Sequence, residues 1–369
     1  MNVASRDDRI DIMRGLSILL VLLHHFNIAY PLRDMPLVHA VARNGNYGVT
    51  IFFVISGFLV TRNALERWGG LRAIAPASFW LLRLARIVPT LVLTLALVDA
   101  LAQAGLPLFG NRAGSSVSLW TTNAAALSGW MNVLVIREGW INYPLGVMWS
   151  LSVEMAFYLL FPVACVLLRR GARLLALAAL LIAMGPLYRL ANQGDGEAWL
   201  YGYLACFDAI AIGCCAAVLS RRQAWPALRR PFVRPLVGVA MAALYLAWPI
   251  SQSNVLGASA MALGAAVLLL GATTVSPSST SLVRRLLSRC GRDCYEIYLL
   301  HLLVLGLLRT WLPPAQCQGV GRVGLLCVFI VGSSLLGVLV SRGYSTPANQ
   351  GLRRWLRLAP AVREANRRP

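Results

Sequence analysis

Ile12-Met-Arg14-Gly-Leu-Ser-Ile-Leu-Leu-Val-Leu-Leu-His24-His25-Phe-Asn-Ile-Ala-Tyr30 decides the fold. The run is mostly aliphatic and about as long as a bilayer core demands, since ~20 apolar residues in a helix cross the hydrocarbon. The residues before it, Met1 to Arg14, mix Arg6, Asp7, Asp8, Arg9 and Asp11. No small-residue cleavage site follows, so the block is expected to stay in place as a helix.

The rest of the chain repeats this theme. Of 369 residues, 58% are hydrophobic and 13% charged, whereas a soluble globular chain carries about 25% charged residues. Nine further blocks are apolar over a comparable length: 47–64, 79–103, 146–168, 173–190, 200–219, 235–250, 255–274, 294–312 and 321–341. The expected fold is an all-α, polytopic membrane bundle of about ten transmembrane helices. Residues 1–342 form one membrane domain, and 343–369 form a basic tail expected to be partly disordered beside anionic lipid heads.

The net charge of +20, with all 34 basic residues arginine, would suggest nucleic acid in a soluble protein. Here the arginines sit at the ends of apolar blocks, where they set topology, and no nucleic-acid partner is expected. An eleventh block, 119–136, contains Thr121, Thr122, Asn123, Ser128 and Asn132. If it does not span, both termini are cytoplasmic and 27 of the 34 arginines lie inside. If it spans, every later loop inverts against the positive-inside rule. Ten spans are therefore expected, with 119–136 re-entrant or on the surface.

Few ionisable groups fall inside the blocks, and each is costly in lipid. Arg14 and His25 are eleven residues apart, about three turns plus ~20°, so they share a face roughly 16 Å apart in depth. His24 is turned about 80° from Arg14. A snorkelling arginine and a packing histidine are the bland alternatives. In the second block Ser56-Gly57 suits close helix packing. Arg83 and Arg86, spaced i, i+3, share a face at the cytoplasmic entrance; paired guanidiniums fit phosphate, and equally a lipid head. Glu154 lies about 12 Å in from residue 146, a depth comparable to that of His25. A carboxylate beside a histidine would orient its ring, while Trp149, Ser or Tyr partners would satisfy it otherwise. His301, near mid-depth of the ninth block, is a second site group or a packing hydrogen bond. Asp208 and Asp99 have no evident partner. The cysteines lie in apolar runs or, like Cys290 and Cys294, lack a second pair, so no metal site is expected.

Arg14 with His25, the Gly48 to Phe58 stretch, Arg83-x-x-Arg86-Ile-x-Pro89, Trp149-Ser-Leu-Ser-Val-Glu154 to Phe157-Tyr158, and Ile297-Tyr-Leu-Leu-His301 occur in that order along nearly the whole chain. Together they resemble the acyltransferase-3 family of membrane O-acyltransferases. The chain departs from the family pattern at Thr50, where an acidic residue is common, and at Met155-Ala156, where Glu-Gln is common. The resemblance implies a bacterial inner-membrane enzyme that transfers an acyl group, acetyl first among candidates. The donor is cytoplasmic acyl-CoA, a co-substrate with no further cofactor. The acceptor is a hydroxyl of a cell-surface or exported glycan or a lipid-linked saccharide. On that reading His25 is general base with Glu154 as its orienting partner. Arg14, Arg83 and Arg86 hold the acyl-CoA phosphates, and Ser56, Tyr158 and His301 line the site. A covalent acyl-histidine is the alternative course.

Two other classes share these features. A transporter or flippase for a glycan or acylated small molecule also has many spans and buried charges, but its two halves often match; here the polar motifs crowd into residues 10–160. An inactive scaffold has no reason to keep Arg14, His25 and Glu154. Gly-x-Ser-x-Gly elbows, metal-ligand pairs and phosphate loops do not occur in the sequence.

Overall fold

The structure, a computed structural model, describes residues 7–195, 197–222, 225–253, 255–271 and 281–358. Among them the regular elements are helices, and β contact is limited to a bridge between Asn111 and Asn142. The first half comprises α1 (Asp8–Ala29), α2 (Pro36–Ala42), α3 (Asn46–Trp68), α4 (Pro76–Gln103), α5 (Leu119–Ser128), α6 (Met131–Glu138) and α7 (Met148–Leu168). The second comprises α8 (Gly171–Ala191), α9 (Ala198–Tyr201), α10 (Tyr203–Arg222), α11 (Val233–Ala247), α12 (Gly257–Leu270), α13 (Leu282–Arg292), α14 (Cys294–Trp311), α15 (Val320–Val340) and α16 (Thr346–Trp355).

All ten apolar blocks read from the sequence are helical. Eight helical segments among the described residues are long and apolar enough to cross a membrane. The blocks at 235–250 and 255–274 give α11 and α12, of 15 and 14 residues, each only about 22 Å long at 1.5 Å per residue. Residues 272–274 of the second block lie outside the described residues. Among the described residues the ten expected spans are thus eight segments of spanning length and two shorter apolar helices.

The block at 119–136 is two helices, α5 and α6. Ser118 caps α5 by accepting from Thr121 N–H at 3.1 Å, and Gly129 closes it with φ +77°. That left-handed conformation is natural for glycine and stops the helix. Ten residues of helix reach about 15 Å, half a bilayer core.

α3 and α10 pack backbone to backbone. A Cβ at Gly57 would overlap the Ile210 carbonyl oxygen, and one at Gly213 would overlap the Val54 carbonyl oxygen. Reciprocal glycines let two backbones touch, as membrane helix pairs require in the absence of a hydrophobic drive. Gly57 therefore matches the packing reading of Ser56-Gly57.

The segment after residue 342, expected as a loose tail, continues α15 through a π turn at Ser341–Ser345 into α16. Ser341 donates to Asp293 at 2.6 Å, and the Ser345 and Thr90 hydroxyls meet at 2.6 Å. These two anchors lay α16 against α4. Residues 359–369 lie outside the described residues.

Asp208, without a partner in the sequence reading, is bound by Arg189 of α8 at 2.8 Å. Ser259 of α12 donates to the same carboxylate at 2.6 Å, and Arg189 also reaches the Val255 and Ala205 carbonyls. A buried ion pair needs such saturation to survive desolvation. Asp99 accepts from Asn123 Nδ2 at 2.7 Å, which ties α4 to α5.

Candidate active site

One face of α1 looks along α14. Near its start the Arg14 guanidinium meets the Cys294 thiol, with Asp11 and Glu154 as charged neighbours. Eleven residues on, the His25 ring faces His301, with 5.1 Å between centroids. The shared face inferred from the spacing of Arg14 and His25 is therefore present, and it points into the bundle. His24 turns elsewhere: its Nδ1 lies 3.1 Å from the Ala42 carbonyl of α2 and donates to it. The His25 ring is also 6.2 Å from that of Trp140, whose indole N–H is held by the Tyr143 carbonyl at 3.1 Å. Tyr201 stacks near both Trp140 and Trp149 and closes the aromatic surround.

His301 has a defined tautomer. Its Nδ1 lies 2.6 Å from the Tyr298 carbonyl. A carbonyl only accepts, so Nδ1 carries the proton and Nε2 is left with its lone pair. Nε2 is buried and has no hydrogen-bond partner. A partnerless buried acceptor is expensive, and it sits in the ring that faces His25. Tyr298 is fixed in turn: its hydroxyl donates to the Val147 carbonyl at 2.8 Å and accepts from Ser150 at 2.7 Å.

Glu154 lies on α7, with Tyr298 and Tyr295 of α14 among its neighbours. Its carboxylate accepts from the Tyr158 hydroxyl at 2.7 Å. Tyr158 has one proton to give, so Ser56, 3.0 Å away, donates to the Tyr158 oxygen. Arg83 stands over the rings of Phe79 and Tyr158, at 5.3 Å from each, and its Nε is buried without a partner. Arg14 and Arg83 are the positive neighbours of Glu154. The sequence reading set Glu154 beside His25. Among the described residues no hydrogen bond joins the two. His301 stands beside His25 instead, while Glu154 feels Tyr298 across the intervening space. Ordered along the bundle, the polar groups run Arg83 and Arg14, then Glu154, Tyr158 and Ser56, then Tyr298 and Ser150, then His301 and His25.

Arg86 is engaged. Its guanidinium takes both oxygens of Glu296, at 2.8 and 3.5 Å, and lies over the Tyr295 ring. Glu296 is fully buried, and Arg86 keeps 30% of its side chain exposed. Sequence reasoning gave Glu296 no role, although a lone acid in a span at the arginine-rich end was the signal that it pairs with one of them.

A family model described as an acyltransferase domain matches residues 7–342. BcsY of Komagataeibacter xylinus, named as a membrane-bound transacylase, is 30% identical over 343 residues, 90% of this chain and 81% of that protein. The peptidoglycan O-acetyltransferase OatA of Listeria monocytogenes is 28% identical over 158 residues, 42% of this chain and 23% of OatA. YrhL of Bacillus subtilis, named as a peptidoglycan O-acetyltransferase, is 27% identical over 234 residues, 60% of this chain and 33% of YrhL. The chain therefore aligns with about a quarter to a third of those two longer relatives. No solved structure matches it.

Proposed function

Because the chain belongs to the acyltransferase-3 family, we propose that it transfers an acyl group, acetyl first, from cytoplasmic acyl-CoA to a hydroxyl of a surface or exported glycan. The observation that carries this reading is the inward-facing pair of imidazoles, His25 and His301, joined by a line of polar side chains to the arginine-rich end. That end takes the cytoplasmic side of a bacterial inner membrane on the positive-inside rule.

The chemistry follows from the order of groups. Phosphates of the donor rest against Arg83, with Arg14 behind it, and the thioester arm rises past Glu154 and Tyr158 toward His25. His25 takes the proton of the acceptor hydroxyl as its oxygen attacks the thioester carbonyl. The carbon–sulfur bond breaks, and the imidazolium returns the proton to the departing thiolate. The lone pair of His301 Nε2 steadies the proton borne by His25, the orienting part that the sequence reading gave to Glu154. Glu154 instead balances Arg14 and Arg83 and fixes Tyr158 beside the rising arm. The acceptor class is supported by OatA and YrhL, both named as peptidoglycan O-acetyltransferases.

The test uses the purified full chain in liposomes with labelled acetyl-CoA and a polysaccharide or muropeptide acceptor. Release of free coenzyme A with label on the glycan is expected from the parent chain. His25→Ala should abolish both while the protein still inserts. Glycan export without thioester cleavage would instead mark a carrier.

A further inference from the structure

α1 and α14 run in the same direction away from the arginine-rich mouth. At the mouth the backbones of α1 and α13 touch, since a Cβ at Gly291 would overlap the Asp11 carbonyl oxygen. α14 then follows α13 directly. At the far ends of the two helices the Tyr30 hydroxyl donates to the Leu312 carbonyl at 2.7 Å. His25 and His301 meet between these two points. Arg309 stands in the last turn of α14, eight residues past His301 and about 12 Å further from the mouth.

The end of α14 is closed without Arg309: the Leu308 carbonyl takes the Leu312 N–H at 2.8 Å, and the Leu312 carbonyl takes Tyr30. The Arg309 guanidinium crosses instead to the loop between α6 and α7, where it lies 4.8 Å from the centre of the Tyr143 ring. Such a ring steadies a guanidinium and leaves donors of its five N–H groups for another partner. Among the described residues no acid forms an ion pair with Arg309, and its Nε is buried without a hydrogen-bond partner. Arg322, at the same end, is fully engaged by Asp34 at 2.9 Å and by the Pro31 and Cys317 carbonyls.

The loop beneath Arg309 leads back to the histidines. The Tyr143 carbonyl accepts the Trp140 indole N–H at 3.1 Å, and the Trp140 ring is 6.2 Å from that of His25. Gly146 leaves the room that this indole fills, because a Cβ there would overlap it. Buried Asn142 pins the loop by donating to the Phe109 carbonyl at 3.0 Å and accepting from the Leu145 N–H at 3.1 Å. Trp140, Tyr143 and Arg309 each remain partly exposed. Aromatic faces suit the C–H face of a sugar ring, and an arginine fork without a counter-charge suits an oxyanion.

We propose that these residues form the acceptor subsite. Trp140 is the platform for the sugar whose hydroxyl meets His25, and Arg309 binds an oxyanion carried by the same acceptor, so the enzyme selects an anionic saccharide. The inference deepens the glycan-acceptor reading above and rests on it. A carboxylate of the glycan and a phosphate of a lipid carrier share this chemistry.

The experiment measures acetyl transfer from acetyl-CoA by the full chain in phosphatidylcholine nanodiscs, which leave both faces open. The acceptors are a disaccharide muropeptide with free carboxylates, the same muropeptide with those carboxylates amidated, and a neutral disaccharide joined through a diphosphate to a short lipid. The parent should use an anionic acceptor with a KM about tenfold or more below that of the amidated muropeptide, the worth of one charge-assisted contact. A low KM for the free carboxylates assigns the oxyanion to the glycan, and one for the diphosphate alone assigns it to the carrier. Arg309→Gln should erase the preference, because the KM for the anionic acceptor rises to that of the amidated one. Arg309→Lys should recover part of it, since charge is kept and the fork is not. Trp140→Ala should raise the KM of all three acceptors alike. Damage to the fold lowers every rate and cannot remove a preference between two acceptors. A parent without the preference, or an Arg309→Gln enzyme that keeps it, overturns the proposal. So does a parent that releases coenzyme A but acylates none of the three, and in each of these cases the acyl-CoA reading stands. A parent that never cleaves the thioester overturns both.

Discussion

His25 of α1 and His301 of α14 face one another with ring centroids 5.1 Å apart and planes inclined at 49°. His301 is locked by the Tyr298 carbonyl into the tautomer whose Nε2 lone pair is free. The pair implies unequal duties, with His25 meeting the substrates and His301 acting through it. His301→Ala should therefore lower kcat by about ten- to a hundredfold with little change in KM for the donor. His25→Ala should remove the ~10² to 10⁴ that a general base contributes. Steady-state release of coenzyme A from acetyl-CoA separates the two. A His301→Ala enzyme with unaltered kcat would return that residue to helix packing.

Tyr158 stands between Glu154 and Ser56, and its ring lies under Arg83. Tyr158→Phe keeps the ring and deletes the proton that the carboxylate accepts. A hydrogen bond to a charged acceptor is worth about 1.5–3 kcal/mol, so roughly tenfold or more should be lost. The loss should fall on kcat, because the ring that carries Arg83 is untouched. Glu154→Gln should behave likewise, and coenzyme A affinity measured beside turnover decides. A change in donor affinity alone would place both residues at the phosphate end.

The Arg189–Asp208 pair offers a prediction about stability. Arg189 is 2% exposed and Asp208 fully buried, and the guanidinium also serves Ser259, Val255 and Ala205. Asp208→Asn leaves a buried cation without its counter-charge, a change that typically costs about 3–5 kcal/mol. Arg189→Met should cost a similar amount, and the double variant should regain much of the loss, since neither charge is then stranded. Thermal unfolding in detergent would show it. Additive losses in the double variant would mean that the two residues stabilise the bundle separately.

Much of this was readable from residue order alone, for a physical reason. Ten apolar blocks have few ways to satisfy their backbones in lipid except as helices, and the eleven-residue step from Arg14 to His25 fixes a shared face whatever the tertiary arrangement. The partners of that face were not readable. Depth along two different helices was judged from distances to their ends, and similar depth does not decide which side chains meet. Glu154 therefore falls with Tyr158, and the residue opposite His25 comes from α14, nearly three hundred positions away. The α16 placement was hidden for a different reason. A basic, proline-containing segment after the last apolar block looks like a tail, and only the π turn and two serine hydrogen bonds turn it back onto α4.

Glu296 sets how much of the arginine cluster is available to a ligand. It is buried at the first turn of α14, and both its oxygens are given to Arg86. Glu296→Gln has nearly the same shape but releases that guanidinium and raises the positive charge of the mouth by one. If the cluster serves phosphate, coenzyme A should bind several-fold more tightly, with a steeper loss of affinity on adding salt. The same variant should unfold at a lower temperature, because a buried pair has been broken from one side. The two effects run in opposite directions, so generalised damage to the protein cannot imitate them. Weaker binding in Glu296→Gln would mean that the ion pair aims Arg86 at its ligand, and that orientation outweighs the gain in charge.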